Sequence, residues 1–164
     1  MHTCAVTVDR TSYCWGQNAA GQLGDGSAPD NSPTPVPVAD PGDPTAPLGE
    51  LVRVGTGPLH SCGVTGEGTA YCWGNNSAGQ LGDGTDVDRD LPVLVADPAR
   101  PDEPLTGVAR LAHHGWHTCA VTTAGIPYCW GLGGEGQLGD GTSTDRWLPT
   151  PVWPGDGGGA VGTR

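Results

Sequence analysis

His60-Ser-Cys62-Gly-Val64-Thr-Gly-Glu67-Gly-Thr-Ala-Tyr71-Cys72-Trp73-Gly-Asn-Asn-Ser-Ala-Gly79-Gln-Leu-Gly82-Asp-Gly84 is the stretch on which the reading of this chain turns. Between its two cysteines a β-rich run surrounds Gly66-Glu67-Gly68. A loop of this length ending in glycine suits a type I turn closed by a left-handed residue, the turn of a tight β-hairpin. Folding the hairpin about Glu67 sets Thr65 opposite Thr69, Val64 opposite Ala70, Gly63 opposite Tyr71 and Cys62 opposite Cys72. With the loop-closing pair hydrogen-bonded, the cysteines fall on a non-hydrogen-bonded pair, where facing Cα atoms approach to about 4.5 Å. That is near the lower end of disulfide reach.

The stretch is repeated. His2-Thr-Cys4, Tyr13-Cys14-Trp15-Gly16 and Gly21-Gln-Leu-Gly-Asp-Gly26 precede it, and His117-Thr-Cys119, Tyr128-Cys129-Trp130-Gly131 and Gly136-Gln-Leu-Gly-Asp-Gly141 follow, offset by 58 and 57 residues. A fixed period of this size marks a tandem-repeat architecture, placed here at approximately 1–50, 51–107 and 108–164 within one domain. The same hairpin arithmetic centres on Asp9 for Cys4 with Cys14 and on Ala124 for Cys119 with Cys129. Six cysteines allow fifteen connectivities, and the register selects one. In copy one the closing glycine is replaced by Arg10, which must then enter a left-handed conformation that non-glycine residues rarely adopt.

Alternation places His60, Cys62 and Val64 on one face with Cys72, and Gly63, Tyr71 and Trp73 on the other. Neither face is polar, and a sheet apolar on both faces must be covered on both. Radially stacked propeller blades meet that demand. Two further strands per blade are expected. Pro35–Val38, Pro92–Ala96 and Pro149–Trp153 read as edge strands opening with proline, and Leu51–Val54 and Val108–Ala112 read as fourth strands upstream of His60 and His117. No such run precedes His2. The expected fold is therefore all-β: a partial propeller of about three four-stranded blades, the first incomplete. Propellers usually close with roughly 4 to 8 blades, so the chain is expected to be part of a ring of six or seven, or to close one by self-association.

The pattern H-[TS]-C-x-V-T, Y-C-W-G and W-G-x-N-x-x-G-Q-L-G resembles the repeat of the regulator of chromosome condensation family, whose members build β-propellers. Positions 15–24 and 73–82 carry the whole last string, and the third copy replaces its Asn by Gly133. Two cysteines per copy make the chain similar to a secreted bacterial branch of the family. The resemblance implies that His2, His60 and His117, with Trp15, Trp73 and Trp130, belong to the repeat core, each histidine satisfying a backbone group inside its blade. It also implies two kinds of activity, nucleotide exchange on a small GTPase in nuclear members and inhibition of β-lactamase by a secreted relative.

Composition bounds the partners. The chain has 29 Gly, 16 Pro, no Phe and a net charge of -11, with 18 acidic residues against 7 basic ones, all arginine. Nucleic-acid binding needs a basic footprint that this balance denies. No apolar run approaches the length of about 20 residues that spans a membrane. Three hairpin cysteine pairs point to an oxidising compartment, hence an extracellular, periplasmic or cell-surface location, with any signal peptide upstream of Met1.

Candidate chemistry is sparse. His60, Cys62 and Cys72 could hold zinc, but a structural site wants four ligands at closer cysteine spacing. Gly-Gln-Leu-Gly-Asp-Gly lacks the lysine and following helix of a phosphate loop and reads as a tight loop against which Trp15, Trp73 or Trp130 packs. Asp86-Val-Asp88-Arg-Asp90, with Asp97 twelfth, begins like a calcium loop but has Leu91 and Pro92 where the turn needs Gly. Trp116 resembles the tryptophan-bearing motif of a plant light sensor of the family, without its companion arginine, and reads as packing. Ser61 and Thr118 lie inside the repeated phrase, so they are poor evidence for a single active site. The expectation is a non-catalytic scaffold without metal or cofactor.

Recognition is expected where the copies differ, in Ser27–Glu50, Thr85–Gly107 and Thr142–Arg164. These segments hold Asp40, Asp43, Asp86, Asp88, Asp90, Asp97 and Asp102. Clustered carboxylates attract a partner protein with a basic surface, and loops on a rigid scaffold are where recognition usually resides.

Overall fold

In the computed structural model, which describes residues 1–152, each repeated phrase becomes two strands of an antiparallel sheet. In chain order the strands are β1 (His2–Val6), β2 (Ser12–Gly16), β3 (Ser32–Pro37), β4 (Leu51–Thr56), β5 (His60–Thr65), β6 (Ala70–Gly74), β7 (Arg89–Leu94), β8 (Ala96–Asp97), β9 (Arg100–Pro104), β10 (Val108–His114), β11 (His117–Thr122), β12 (Pro127–Gly131) and β13 (Arg146–Pro151). They form a three-stranded sheet β1-β2-β3 and two four-stranded sheets, β4-β5-β6-β7 and β10-β11-β12-β13, with β8-β9 as a separate small hairpin. Apolar clusters fill the spaces between successive sheets. Cys14, Leu23, Val38 and Leu48 meet Leu51 and Trp73 in one, and Cys62, Val64, Leu81 and Val95 meet Val108, Ala120 and Trp130 in the next. The sheets are thus neighbouring blades of a propeller.

The hairpin register is the one that alternation demands. Cys4 faces Cys14, Cys62 faces Cys72 and Cys119 faces Cys129, and all three pairs are disulfides with Cα separations of 4.1, 4.0 and 4.1 Å. Gly68 and Gly125 close their turns at φ 87° and 78°. Arg10 does the same work at φ 65°, donating its N–H to the Thr7 carbonyl as Gly68 does to Thr65.

The fourth-strand runs form β4 and β10, each extended to its turn with the histidine strand. The edge strands differ from expectation. They begin at Ser32, Arg89 and Arg146, three residues before the prolines, because an irregularity at the tryptophan lets pairing resume at Gly16, Gly74 and Gly131. Proline is tolerated because the outer edge needs no ladder donor there. Val38 and Val95, expected inside these strands, instead follow them, donate to Ser12 and Ala70 and lie at 0% exposure. The end of the third run, Trp153, lies outside the described residues.

The connectors are more ordered than solvated linkers. Beyond Val38 the chain bridges Ala39 to Pro47 and returns with Leu48 donating to the Val38 carbonyl. Beyond Val95, β8 and β9 pair and Leu105 donates to Val95 in the same way. Leu48 and Leu105 are buried, so two segments of unlike sequence perform one structural task.

Candidate interaction surfaces and the junction between blades

The repeated polar residues converge on the junctions. The Gln22 carbonyl accepts two hydrogen bonds from the next blade, from the Ser61 hydroxyl at 2.9 Å and from the Trp73 indole N–H at 3.0 Å. One period later the Gln80 carbonyl accepts from Thr118 at 2.9 Å and Trp130 at 3.0 Å. His2 Nε2 lies 2.7 Å from the Ser61 hydroxyl, and His60 Nε2 lies 3.1 Å from that of Thr118. Each hydroxyl has one proton, already given to a glutamine carbonyl, so the histidine must donate from Nε2. The histidine therefore serves a side chain of the following blade, not a backbone group of its own. That corrects the role implied by the resemblance: the contact crosses about one repeat length, beyond the reach of local pattern.

The glycine loop is built to receive the indole. A Cβ on Gly24 would lie 2.7 Å from the Trp73 ring, and one on Gly82 would lie 2.6 Å from that of Trp130. Both glycines also sit at φ 71°, so any side chain there is excluded twice. Each tryptophan thus packs on the loop of the preceding copy. Trp73 and Trp130 are fully buried, whereas Trp15, with no preceding loop among the described residues, is only half-buried. Within the loop, Asn18 and Asn76 accept the N–H groups of Leu23 and Leu81, and the Gln22, Gln80 and Gln137 side chains brace the turn.

Burial sets the histidine chemistry. Removal from water lowers His60 to about 3 and His2 to about 4, the latter also beside the positive N-terminus, and His113 is lowered to about 4 by burial. These rings are neutral around pH 7, and the donor role fixes His2 and His60 as the tautomer that carries its proton on Nε2. His60, Cys62 and His113 place one donor atom each within 4.8 Å of one another. Cys62 is oxidised and presents no thiolate, the form that binds metal. The trio of His60, Cys62 and Cys72, set aside in the sequence for its spacing, has both its cysteines in that disulfide. A groove of about 530 Å³ follows the inner strands, lined by Val54, Gly55, Leu111 and His113, with Arg53 and Arg110 beside them.

The candidate carboxylates do not form one surface. Asp86, Asp88 and Asp90 lie with the glycine loops at one end of the blades, where β6 ends and β7 begins. Asp40, Asp43, Asp97 and Asp102 lie in the connectors that follow the far ends of β3 and β7, and these connectors begin against the glycine loop, with Ala39 and Ala96 donating to the Gly24 and Gly82 carbonyls. Several are structural. Asp40 accepts the Gly42 and Asp43 N–H groups, Asp43 the N–H and the hydroxyl of Thr45, and Asp97 the N–H groups of Ala99 and Arg100. Asp88 accepts the Asn76 N–H at 2.7 Å, as Asp145 does for Gly133 and Asn31 for Asn18. Asp88 is therefore a repeated position that the sequence reading took as unrepeated. Strand β7 separates Asp88 from Asp97, which rules out the calcium loop. Asp86, Asp90 and Asp102 are exposed. Trp116, 39% exposed in the β10–β11 turn, sits at the rim.

Sequence reasoning missed the Asp83–Arg89 and Asp140–Arg146 ion pairs that tie each glycine loop to its edge strand. The signal was present in the six-residue spacing shared by copies two and three, and copy one obscured it with one extra residue, so that Ser32, seven residues after Asp25, takes the arginine position in the strand register.

Comparison with known proteins agrees with this geometry. Residues 12–64, 67–121 and 125–161 match the regulator of chromosome condensation (RCC1) repeat. The ultraviolet-B receptor UVR8 of Arabidopsis thaliana is 34% identical over 150 residues, 90% of this chain and 31% of the receptor. The human E3 ubiquitin-protein ligase HERC2 is likewise 34% identical over 150 residues, 90% of this chain but 3% of the ligase. Prp20p from Saccharomyces cerevisiae superposes with a TM-score of 0.73 at 24% identity, over 93% of this chain and 36% of that one. Human WBSCR16 gives 0.72 at 23%, over 93% and 37%. The chain thus spans about a third or less of each of these proteins, and the two structures speak for the fold alone. The motif, the three-sheet stack and the matched residues together show that this chain belongs to the RCC1 repeat family of β-propellers.

Proposed function

We propose that the chain is a non-catalytic protein-binding module of an oxidising compartment, extracellular, periplasmic or at a cell surface, and that its glycine-loop end takes a partner with a basic surface. The observation that carries this reading is the division of labour among its polar groups. The repeated histidines, hydroxyls, glutamines and indoles are engaged at blade junctions. Asp86 and Asp90, by contrast, stand exposed beside the glycine loops, with no side-chain partner among the described residues. Exposed carboxylates on a rigid frame raise association rates with a basic partner and make them sensitive to salt. The disulfides support the oxidising compartment. The ligase activity in the name of HERC2 belongs to a protein of which this chain spans 3%.

Core histones serve as a defined basic probe, since Prp20p is described with its binding properties to Gsp1p and histones. Replacing Asp86 and Asp90 by Asn is expected to slow association roughly threefold at low salt and flatten its salt dependence. Replacing Asp102, in the connector strand β9, should leave both unchanged. Equal effects at the two sites would reduce the reading to net charge alone. Exchange on a small GTPase, the activity that the repeat resemblance implies for nuclear members, is the second reading. It is tested by nucleotide release from a small GTPase, which should not accelerate if the first reading holds.

A further inference from the structure

The glycine loops of copies two and three carry the same ion pair, and that of copy one does not. Asp83 receives the Thr85 N–H and hydroxyl on Oδ1 and the Arg89 guanidinium on Oδ2, with Nε at 3.1 Å. Asp140 divides its oxygens in the same way between Thr142 and Arg146. Asp25, the third member, keeps the loop contacts, its Oδ1 accepting the Ser27 N–H and the Asn18 amide. The Ser27 hydroxyl reaches both oxygens, at 2.8 and 2.7 Å, but has one proton to give. Ser32, which the strand register sets in the arginine position, turns its hydroxyl to the Thr34 carbonyl at 2.6 Å. Among the described residues no arginine pairs with Asp25.

The same carboxylate borders a recess of about 420 Å³ between β3 and the connector that follows it. Tyr13, Val36, Pro37, Pro44 and Pro47 are among its walls, and Asp25 is the one charged residue of its lining. Apolar walls cover the methylenes of a long side chain while its charged head reaches a carboxylate, and an aromatic ring suits a guanidinium. The loop also abuts the exposed Asp90, whose carbonyl accepts the Gly26 N–H at 3.0 Å. We propose that Asp25 anchors an arginine of the partner protein, which supplies from outside the guanidinium that Arg89 and Arg146 supply from within. The incoming guanidinium takes Asp25 Oδ2 and the Ser27 hydroxyl, as that of Arg146 takes Asp140 and Thr142. Arginine is the occupant, in preference to lysine, because both internal precedents place Nε of its planar fork on the carboxylate. The inference rests on the reading of the chain as a binder of a basic protein and names the residue at which one cation docks.

The test is an NMR titration of the 164-residue chain with a blocked glycine-arginine-glycine peptide, beside its citrulline twin, which keeps the shape and loses the charge. The arginine peptide is expected to move the Tyr13, Asp25 and Ser27 amide signals saturably. The citrulline peptide should bind at least about tenfold more weakly, the worth of a charge-assisted hydrogen bond. Asp25→Asn retains the Oδ1 acceptor that shapes the loop and should weaken the arginine peptide by the same factor. Ser32→Arg leaves Asp25 in place and supplies the internal ion pair, so it should abolish binding as well. Signals that do not move, a citrulline peptide that binds as well as the arginine one, or a Ser32→Arg chain that still binds would each overturn the proposal. Failure here is separable from failure of the wider reading. Histone association that depends on Asp86 and Asp90 while the peptide leaves Asp25 unmoved removes this anchor alone. Peptide binding at Asp25, with histone association indifferent to Asp86 and Asp90, removes the wider site and leaves the anchor.

Discussion

Copies one and two of the repeat share their motif letter for letter at the tryptophan and the glycine loop, yet the same residues have different surroundings. Trp73 is at 0% exposure against the Gly24 loop, and Trp15 is half-buried with no such loop before it among the described residues. Ser61 is at 0% exposure between His2 and Gln22, and Thr3 is exposed. The difference teaches that a motif residue gains its energetic weight from the blade that precedes its own. Stability in such an array is a sum of neighbour contacts more than of repeats. Mutating equivalent positions in the two copies measures that weight directly.

The largest expected effect comes from acid, which acts on both junctions together. His2 and His60 are neutral when folded, at about 4 and about 3, and ordinary near 6.5 when unfolded. Their contribution is complete above pH 6.5 and is lost as the pH falls toward 4, because the unfolded chain takes up protons that the folded one refuses. The loss is up to about 1.4 kcal/mol per pH unit for each ring. Denaturant midpoints across pH 7 to 4 should fall accordingly. His60→Gln should flatten the slope more than His117→Gln, whose ring lacks a following blade among the described residues. Equal slopes in the two variants would break the comparison.

Next in size is the indole. Trp73→Ala empties a packed site and is expected to cost about 3–5 kcal/mol in urea unfolding, whereas Trp15→Ala should cost under about 2 kcal/mol. Similar losses would mean that the tryptophan is worth the same inside its own blade as between blades. Smallest is the hydroxyl. Ser61→Ala leaves the buried His2 N–H without an acceptor and should cost about 1–3 kcal/mol, while Thr3→Ala should leave the unfolding midpoint where it was.

What could be read from the residues was whatever lies within one hairpin. Cys62 opposite Cys72 follows from counting around Glu67, and the left-handed Arg10 follows from its place in the turn. What could not be read lies between copies or behind an irregular pairing. The prolines of Pro92 and Pro149 suggested strand starts, while the register shift at Trp73 and Trp130 moved those starts to Arg89 and Arg146. Asp88 looked like a member of an unrepeated acidic run, because its counterparts are Asp145 in one copy and Asn31 in the other, and only a shared backbone donor makes them alike. The partner of each histidine was out of reach of spacing arguments, since it belongs to another blade.

The double acceptance at the Gln22 and Gln80 carbonyls has a consequence for how such a chain can change length. The point that recognises the incoming blade is a main-chain oxygen, so it survives substitution of the side chain that bears it as long as the loop keeps its shape. Donors and acceptor lie within one repeat, separated by a single loop. A duplication or deletion of one whole period, wherever its frame begins, therefore carries socket and plug in equal number and leaves every internal junction matched. A break that splits a period unequally would strand an indole or a carbonyl in the interior, a far costlier inheritance.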